Sequence, residues 1–225
     1  MKKALAATYI VAASLVLSGC GIPLNINVQT VAGSGKVTSE TRPVSDVHAV
    51  ALTGAGELVV QQTGTESLTI ETDDNLHSLI ETPLFQGKVT IGFKSGTFPS
   101  RVSKLRYVLT VKSIDSIALS GAGTVTGDNL TADKLTIDSS GAGKITMSGK
   151  VGDLTMDMSG AGSFEGDKLE AQTASVKISG VGNAVVNAVK TLDATISGAG
   201  NIEYIGSPTV RPTITGAGSI KQRKP

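Results

Sequence analysis

Few side chains in this 225-residue chain have the chemistry for catalysis or metal binding: one Cys, two His, no Trp and a scatter of carboxylates. His48 and His77 lie 29 residues apart, and neither has a Cys or His neighbour at metal-ligand spacing. Both read as surface or edge histidines. No Gly-x-Ser-x-Gly elbow occurs, and Gly35-Lys36 runs into Val37 where a phosphate loop needs Ser or Thr. Asp138 and Asp157 hold equivalent places in a repeat, so stacked strands would set them one rung apart. Such a pair suits Ca²⁺ or acid–base work on a polysaccharide. Lys177 takes the same place in the next copy, and Ala118 and Thr195 take it elsewhere. The column therefore reads as a solvated outer face. No catalytic, cofactor-binding or metal-ligating residue is assigned.

Cys20 is the exception. It ends the run Leu17-Ser18-Gly19-Cys20, after a mostly apolar stretch from Ala4 to Leu17 led by Lys2 and Lys3. That stretch falls short of the roughly 20 residues needed to span a bilayer, so it reads as the apolar region of an export signal. Small residues before a Cys resemble the bacterial lipobox, whose thiol takes a diacylglyceryl group before cleavage on its N-terminal side. The expected division is a lipoprotein signal at 1–19, a lipidated Cys20 with a short tether at 20–30, and one domain at 31–225. Cleavage would leave 18 basic against 19 acidic side chains, a balance that excludes nucleic-acid binding by bulk basic charge. Gly21 after the Cys favours the outer membrane, by resemblance to lipoprotein sorting.

The elements that must carry these residues are written in glycine, which numbers 27. Past residue 30, Gly-x-Gly recurs eight times, starting at Gly33, Gly54, Gly121, Gly141, Gly160, Gly180, Gly198 and Gly216. The last six are spaced by 20, 19, 20, 18 and 18 residues. Two residues after each second glycine comes an apolar residue, from Val37 and Leu58 to Ile202 and Ile220. From the second copy on, a hydroxyl precedes the first glycine: Thr53, Ser120, Ser140, Ser159, Ser179, Ser197 and Thr215. Runs such as Leu135-Thr136-Ile137-Asp138 alternate with the period of a strand.

A hairpin barrel would favour Asn-Gly or Asp-Gly turns. One corner repeated on every rung instead predicts an all-β parallel solenoid, or β-helix, of roughly 20-residue repeats. Its corners would be Gly54, Gly56, Gly121, Gly123, Gly141, Gly143, Gly160, Gly162, Gly180, Gly182, Gly198, Gly200, Gly216 and Gly218, needed for positive φ or close backbone approach. The gap from Gly54 to Gly121 reads as about three degenerate periods, giving roughly nine or ten rungs. Hydroxyls before the corners are expected to bond a corner amide or a neighbour above, with ligand presentation as the rival role. Asp73 to Ile80 reads as a short Asp-capped helix covering a side or an end. The basic, proline-ended tail from Lys221 to Pro225 is expected to block an open strand edge.

The order of Ser/Thr-Gly-Ala-Gly units, led by Gly33-Ser34-Gly35-Lys36-Val37 and Arg42-Pro43-Val44, resembles the head GIN domain. Leu68-Thr69-Ile70-Glu71-Thr72-Asp73-Asp74-Asn75-Leu76 and Gly87-Lys88-Val89-Thr90-Ile91-Gly92 extend the likeness, which covers about Val31 to Ile220. That family of autotransporter-adhesin-like envelope proteins implies a right-handed solenoid, often exported or lipid-anchored, and brings no catalytic residues. The functional expectation is a non-enzymatic protein anchored to the membrane through lipid on Cys20 and displaying a rigid solenoid for adhesion, its glycan or protein ligand left open. The alternatives are a periplasm-facing structural or assembly lipoprotein and, less favoured, a small polysaccharide-active β-helix enzyme.

Overall fold

The computed structural model describes residues 9–12 and 27–223. Nearly all of it is strand, apart from one short 3₁₀ turn at His77–Leu79. From Gly123 onward the chain winds as a parallel β-solenoid. Gly123–Ser139, Lys144–Met158, Ala161–Ile178 and Val181–Ile196 each pair in parallel with the next. Ala199–Ile205 and Thr209–Ile214 both lie on Val181–Ile196, and Ala217–Gln222 lies on Ala199–Ile205. The sequence intervals between corners thus become turns, five of them from Gly121 to Gly216.

Period-two alternation decides which side chains fill the interior. One buried column runs Leu119, Ser139, Met158, Ile178, Ile196; another runs Val125, Ile145, Phe164, Ala184, Ile202. Column members differ in size, and glycine makes the local room. A Cβ on Gly166 would meet the Phe164 ring, and one on Gly127 the Met147 sulfur. The bends that close each turn show as register shifts, between Gly127 and Leu130, Thr146 and Ser148, and Gly166 and Glu170.

The gap between Gly54 and Gly121 does not hold three degenerate rungs. Lys88–Phe93 and Leu105–Val111 form one level, lying parallel on Ala49–Leu52 and Gly56–Gln62. On the other side of those same strands lie Ser116–Leu119 and Gly123–Ser139. The chain therefore builds its second level outside the first, then steps back past it to begin the regular stack. Beyond the outer level the direction reverses. Ser67–Asp73 runs antiparallel to Leu105–Val111, and Val37–Arg42 antiparallel to Ser67–Asp73. Ile80–Glu81 and Leu84–Phe85 do the same for Lys88–Phe93. This end is capped by antiparallel strands, and the rung count falls short of the expected nine or ten because much of the gap forms that cap.

Asn27–Ala32 takes in the end of the expected 20–30 tether, lying parallel to Thr97–Ser100 and antiparallel to Tyr9–Ala12. The Gly33-Ser34-Gly35 copy is not a solenoid corner. Gly33 faces the Asp73 carboxyl and the Arg101 carbonyl, and Val37 is 42% exposed where its counterparts in the stack are buried.

Candidate functional site

The corners form one continuous feature. A Cβ on Gly121 would overlap the Gly54 carbonyl oxygen; on Gly141, that of Gly121; and so on through Gly160, Gly180, Gly198 and Gly216. The second glycines repeat the pattern, from Gly123 against Gly56 through Gly143, Gly162, Gly182 and Gly200 to Gly218. Each backbone sits so closely on the one below that only hydrogen fits. Positive φ is not the general reason: among these corner glycines only Gly56 has it, at 119°. The close approach keeps the hydrogen-bond ladder unbroken around the bend, as in Ser140 N–H to Leu119 C=O and Ala142 N–H to Gly121 C=O.

Along that ridge stand Ser120, Ser140, Ser159, Ser179, Ser197 and Thr215, all solvent-exposed. Their side chains do not bond the corner amides as expected; those amides are taken by carbonyls of the turn below. Thr53 alone in the column donates its hydroxyl to a backbone carbonyl, that of Ile91 at 3.1 Å. Beside the hydroxyls runs an equally exposed row, Ala142, Ala161, Val181, Ala199 and Ala217. The ridge thus presents hydroxyls and small apolar groups at the spacing of stacked strands, about 4.8 Å.

Asp138 and Asp157 are in register on adjacent turns, followed by Lys177 and Thr195. All but Thr195, which is half-buried, are exposed. This is an open wall on which a lysine follows the two carboxylates, with no cleft to desolvate them. His48 is half-exposed, its Nδ1 3.3 Å from the Asp115 carboxylate. His77 departs from its surface reading. It is buried, with Nε2 2.9 Å from the Thr38 hydroxyl and Nδ1 3.5 Å from Glu40. Cys20 lies outside the described residues.

Sequence reading missed the most ordered polar cluster. Asp73 is fully buried and accepts from Gly35 N–H at 2.8 Å, Ser103 N–H at 2.8 Å and the Ser103 hydroxyl at 2.9 Å. Burial pushes its carboxyl up, but these donors outweigh burial and hold it below the ordinary Asp value. Asp74 accepts from the Ser34 hydroxyl, and the Asn75 side chain accepts from Ser34 N–H while donating to Ala32 C=O. Asp73-Asp74-Asn75 is therefore a clasp on the Gly33-Ser34-Gly35 loop. The 3₁₀ turn after it has Leu76 at its N-cap and no side-chain cap. The signal lay in three consecutive polar residues after an alternating strand, but their partners are 30 to 43 residues away.

The stacked corners, flat walls and antiparallel cap define an all-β solenoid. The chain belongs to the family described as "Putative auto-transporter adhesin, head GIN domain", whose sequence profile matches residues 46–208. Among solved structures, a putative adhesin from Bacteroides fragilis superposes with a TM-score of 0.73 at 24% identity, covering 86% of this chain and all of that one. A putative adhesin from Parabacteroides distasonis gives 0.57 at 22% identity, over 86% of this chain and all of its own. A putative lipid binding protein from the same species gives 0.52 at 22%, over 87% of this chain and all of its own. At these identities the likeness speaks for the shared solenoid. No curated protein matches the chain.

Proposed function

We propose that this protein is a non-enzymatic adhesion or binding module, anchored to the bacterial envelope through lipid on Cys20, with the outer membrane as its membrane. The observation that carries the binding role is the corner ridge, where unbonded hydroxyls and small apolar groups repeat on a backbone with no room to shift. A rigid row of this kind meets an extended or repeating ligand, a glycan chain or a polypeptide, without first losing conformational entropy. Family membership and the Leu17-Ser18-Gly19-Cys20 run support the same reading. Several acyl chains on one Cys would hold it stably, since each buried CH₂ adds about 0.8 kcal/mol.

Labelled palmitate tests the anchor: incorporation is expected in the wild type and absent in Cys20→Ala, and label in that variant would remove the assignment. Binding of cells to immobilised glycans or matrix protein tests the ridge. Ser140→Lys with Ser159→Lys should abolish it while the chain stays folded, and unchanged binding would exclude the ridge.

An assembly role inside the envelope is the second reading, favoured by the C-terminal strands of the stack, which have no outer partner among the described residues. Proteolysis of intact cells separates the two, since only an outward-facing domain is cut. The polysaccharide-enzyme reading ranks last, because Asp138 and Asp157 stand on an open wall; it would require loss of activity in Asp138→Asn with Asp157→Asn.

A further inference from the structure

The two ends of the solenoid are finished differently. At the N-terminal end antiparallel strands cover the outermost parallel level and leave Val37–Arg42 as the last strand. At the other end the parallel strands Thr209–Ile214 and Ala217–Gln222 themselves have no partner on their outer side among the described residues. Of the tail expected to block this edge, only residues up to Arg223 are described, and they extend the last strand. Arg223 N–H bonds Tyr204 C=O, continuing the last strand, and Lys224 and Pro225 lie outside the described residues. The inward residues of the final level are consequently uncovered: Ile214 is 46% exposed, and Val210 and Ile220 are only partly buried.

Backbone geometry says which groups are free. In a parallel ladder, residues alternate between the two neighbouring strands. Ala217 N–H bonds Gly198 C=O and Arg223 N–H bonds Tyr204 C=O, so residues 217, 219, 221 and 223 face inward across the sheet. Gly218, Ile220 and Gln222 therefore direct both N–H and C=O to the open edge. The neighbouring strand differs. Thr215 N–H bonds Ile196 C=O, so the outward set there is Val210, Pro212 and Ile214. Pro212 has no N–H to offer, which blunts that edge at its middle. One terminal strand is open to pairing and the other is blocked.

We infer that the Ala217–Gln222 strand pairs antiparallel with the same strand of a second copy, joining two solenoids end to end about a twofold axis through Ile220. In that register Gly218, Ile220 and Gln222 supply every outward N–H and C=O with a partner. Ile220 meets Ile220, so the Ile202–Ile220 column of the core continues into the second copy. On the outer face Lys221 stands opposite Ser219, and Arg223 opposite Ala217, so no like charges face each other across the seam. The seam is isologous, so each Ala217–Gln222 edge is used up by its one partner. Such a dimer would carry its two anchored ends at opposite extremities.

The test uses the full chain carrying Cys20→Ala, so that introduced thiols are the only ones, purified in detergent. Sedimentation should show a dimer, and Ile220→Pro should weaken it at least ~10-fold, because that N–H serves only the edge. Circular dichroism of Ile220→Pro should match the parent. Mixing Ser219→Cys with Lys221→Cys should give a disulfide-linked dimer, whereas Thr124→Cys, on the outer face at mid-stack, should not. A chain that stays monomeric at ~100 µM would overturn the proposal, since dimers weaker than that lie beyond ordinary specific interfaces. So would a dimer indifferent to Ile220→Pro, or cross-linking of the 219/221 mixture no greater than that of Thr124→Cys.

Discussion

The stack from Gly121 to Gly216 and the N-terminal region 27–119, which holds the first levels and the cap, share one apolar core, yet what else orders them differs. The stack is a problem of shape. Its order comes from apolar columns and from backbones packed until only hydrogen fits at the corner. The cap is a problem of polar matching. Among the described residues, eight of the eleven close acid–base pairs join residues before 120, including Lys104 with Glu71 at 2.8 Å and Lys112 with Glu66 at 2.9 Å. Arg42 alone reaches the carbonyls of His77 and Ile80 and the side chains of Thr82 and Glu40. A repeat can cover its own interior turn after turn, but its first turn has nothing below it. The cap supplies that cover with antiparallel strands, whose direction departs from the parallel ladder.

The largest break should come from the stack's core. Phe164→Ala removes its bulkiest side chain and should cost about 3–5 kcal/mol in denaturant unfolding; a change under 1 kcal/mol would mean the column collapses around the gap. Gly160→Val comes next. Its Cβ would strike the Gly141 and Ser140 carbonyls, and overpacking of that kind costs about 1–3 kcal/mol, sometimes more. Gly35→Ala in the cap is the contrast. Nothing lies within 4 Å of its Cβ and φ is +82°, so only the left-handed strain of roughly 1–2 kcal/mol should appear.

Asp73→Asn probes the cap's polar logic, with pH as the sharper readout. Because the folded carboxyl lies below its ordinary value of 3.8, its contribution is fully present above that pH and is lost as pH falls toward the folded value. Acid titration of stability should therefore be shallower in Asp73→Asn as pH falls below 3.8; identical profiles would count against the clasp. The smallest effect has the opposite sign. Ser139 sits in an apolar column between Leu119 and Met158 with its hydroxyl buried and unpartnered. Ser139→Ala should stabilise by on the order of 1 kcal/mol, the cost of an unsatisfied hydroxyl.

Legibility followed the same divide. Wherever a residue's role was set by its place in the period, the sequence was enough: Asp138 beside Asp157, or Phe164 in line with Ile145 and Ala184. Where a role depended on a distant partner, reading failed. Gly33-Ser34-Gly35 has the spelling of a corner, but the Asp73 clasp decides its geometry. His77 was read as exposed because nothing local announced that Thr38 and Glu40 would enclose it.

The sequence by itself determined the β period, the turn length of 18 to 20 residues and the glycine at every corner. All three are local properties of one repeating unit, and copying the unit copies the outcome. Only the tertiary structure decided that the second level lies outside the first, that the intervening segment is a cap and that the far edge stays open. Those features depend on which strand finds which neighbour, and backbone hydrogen bonds, nearly identical for every residue, carry no such address in the sequence.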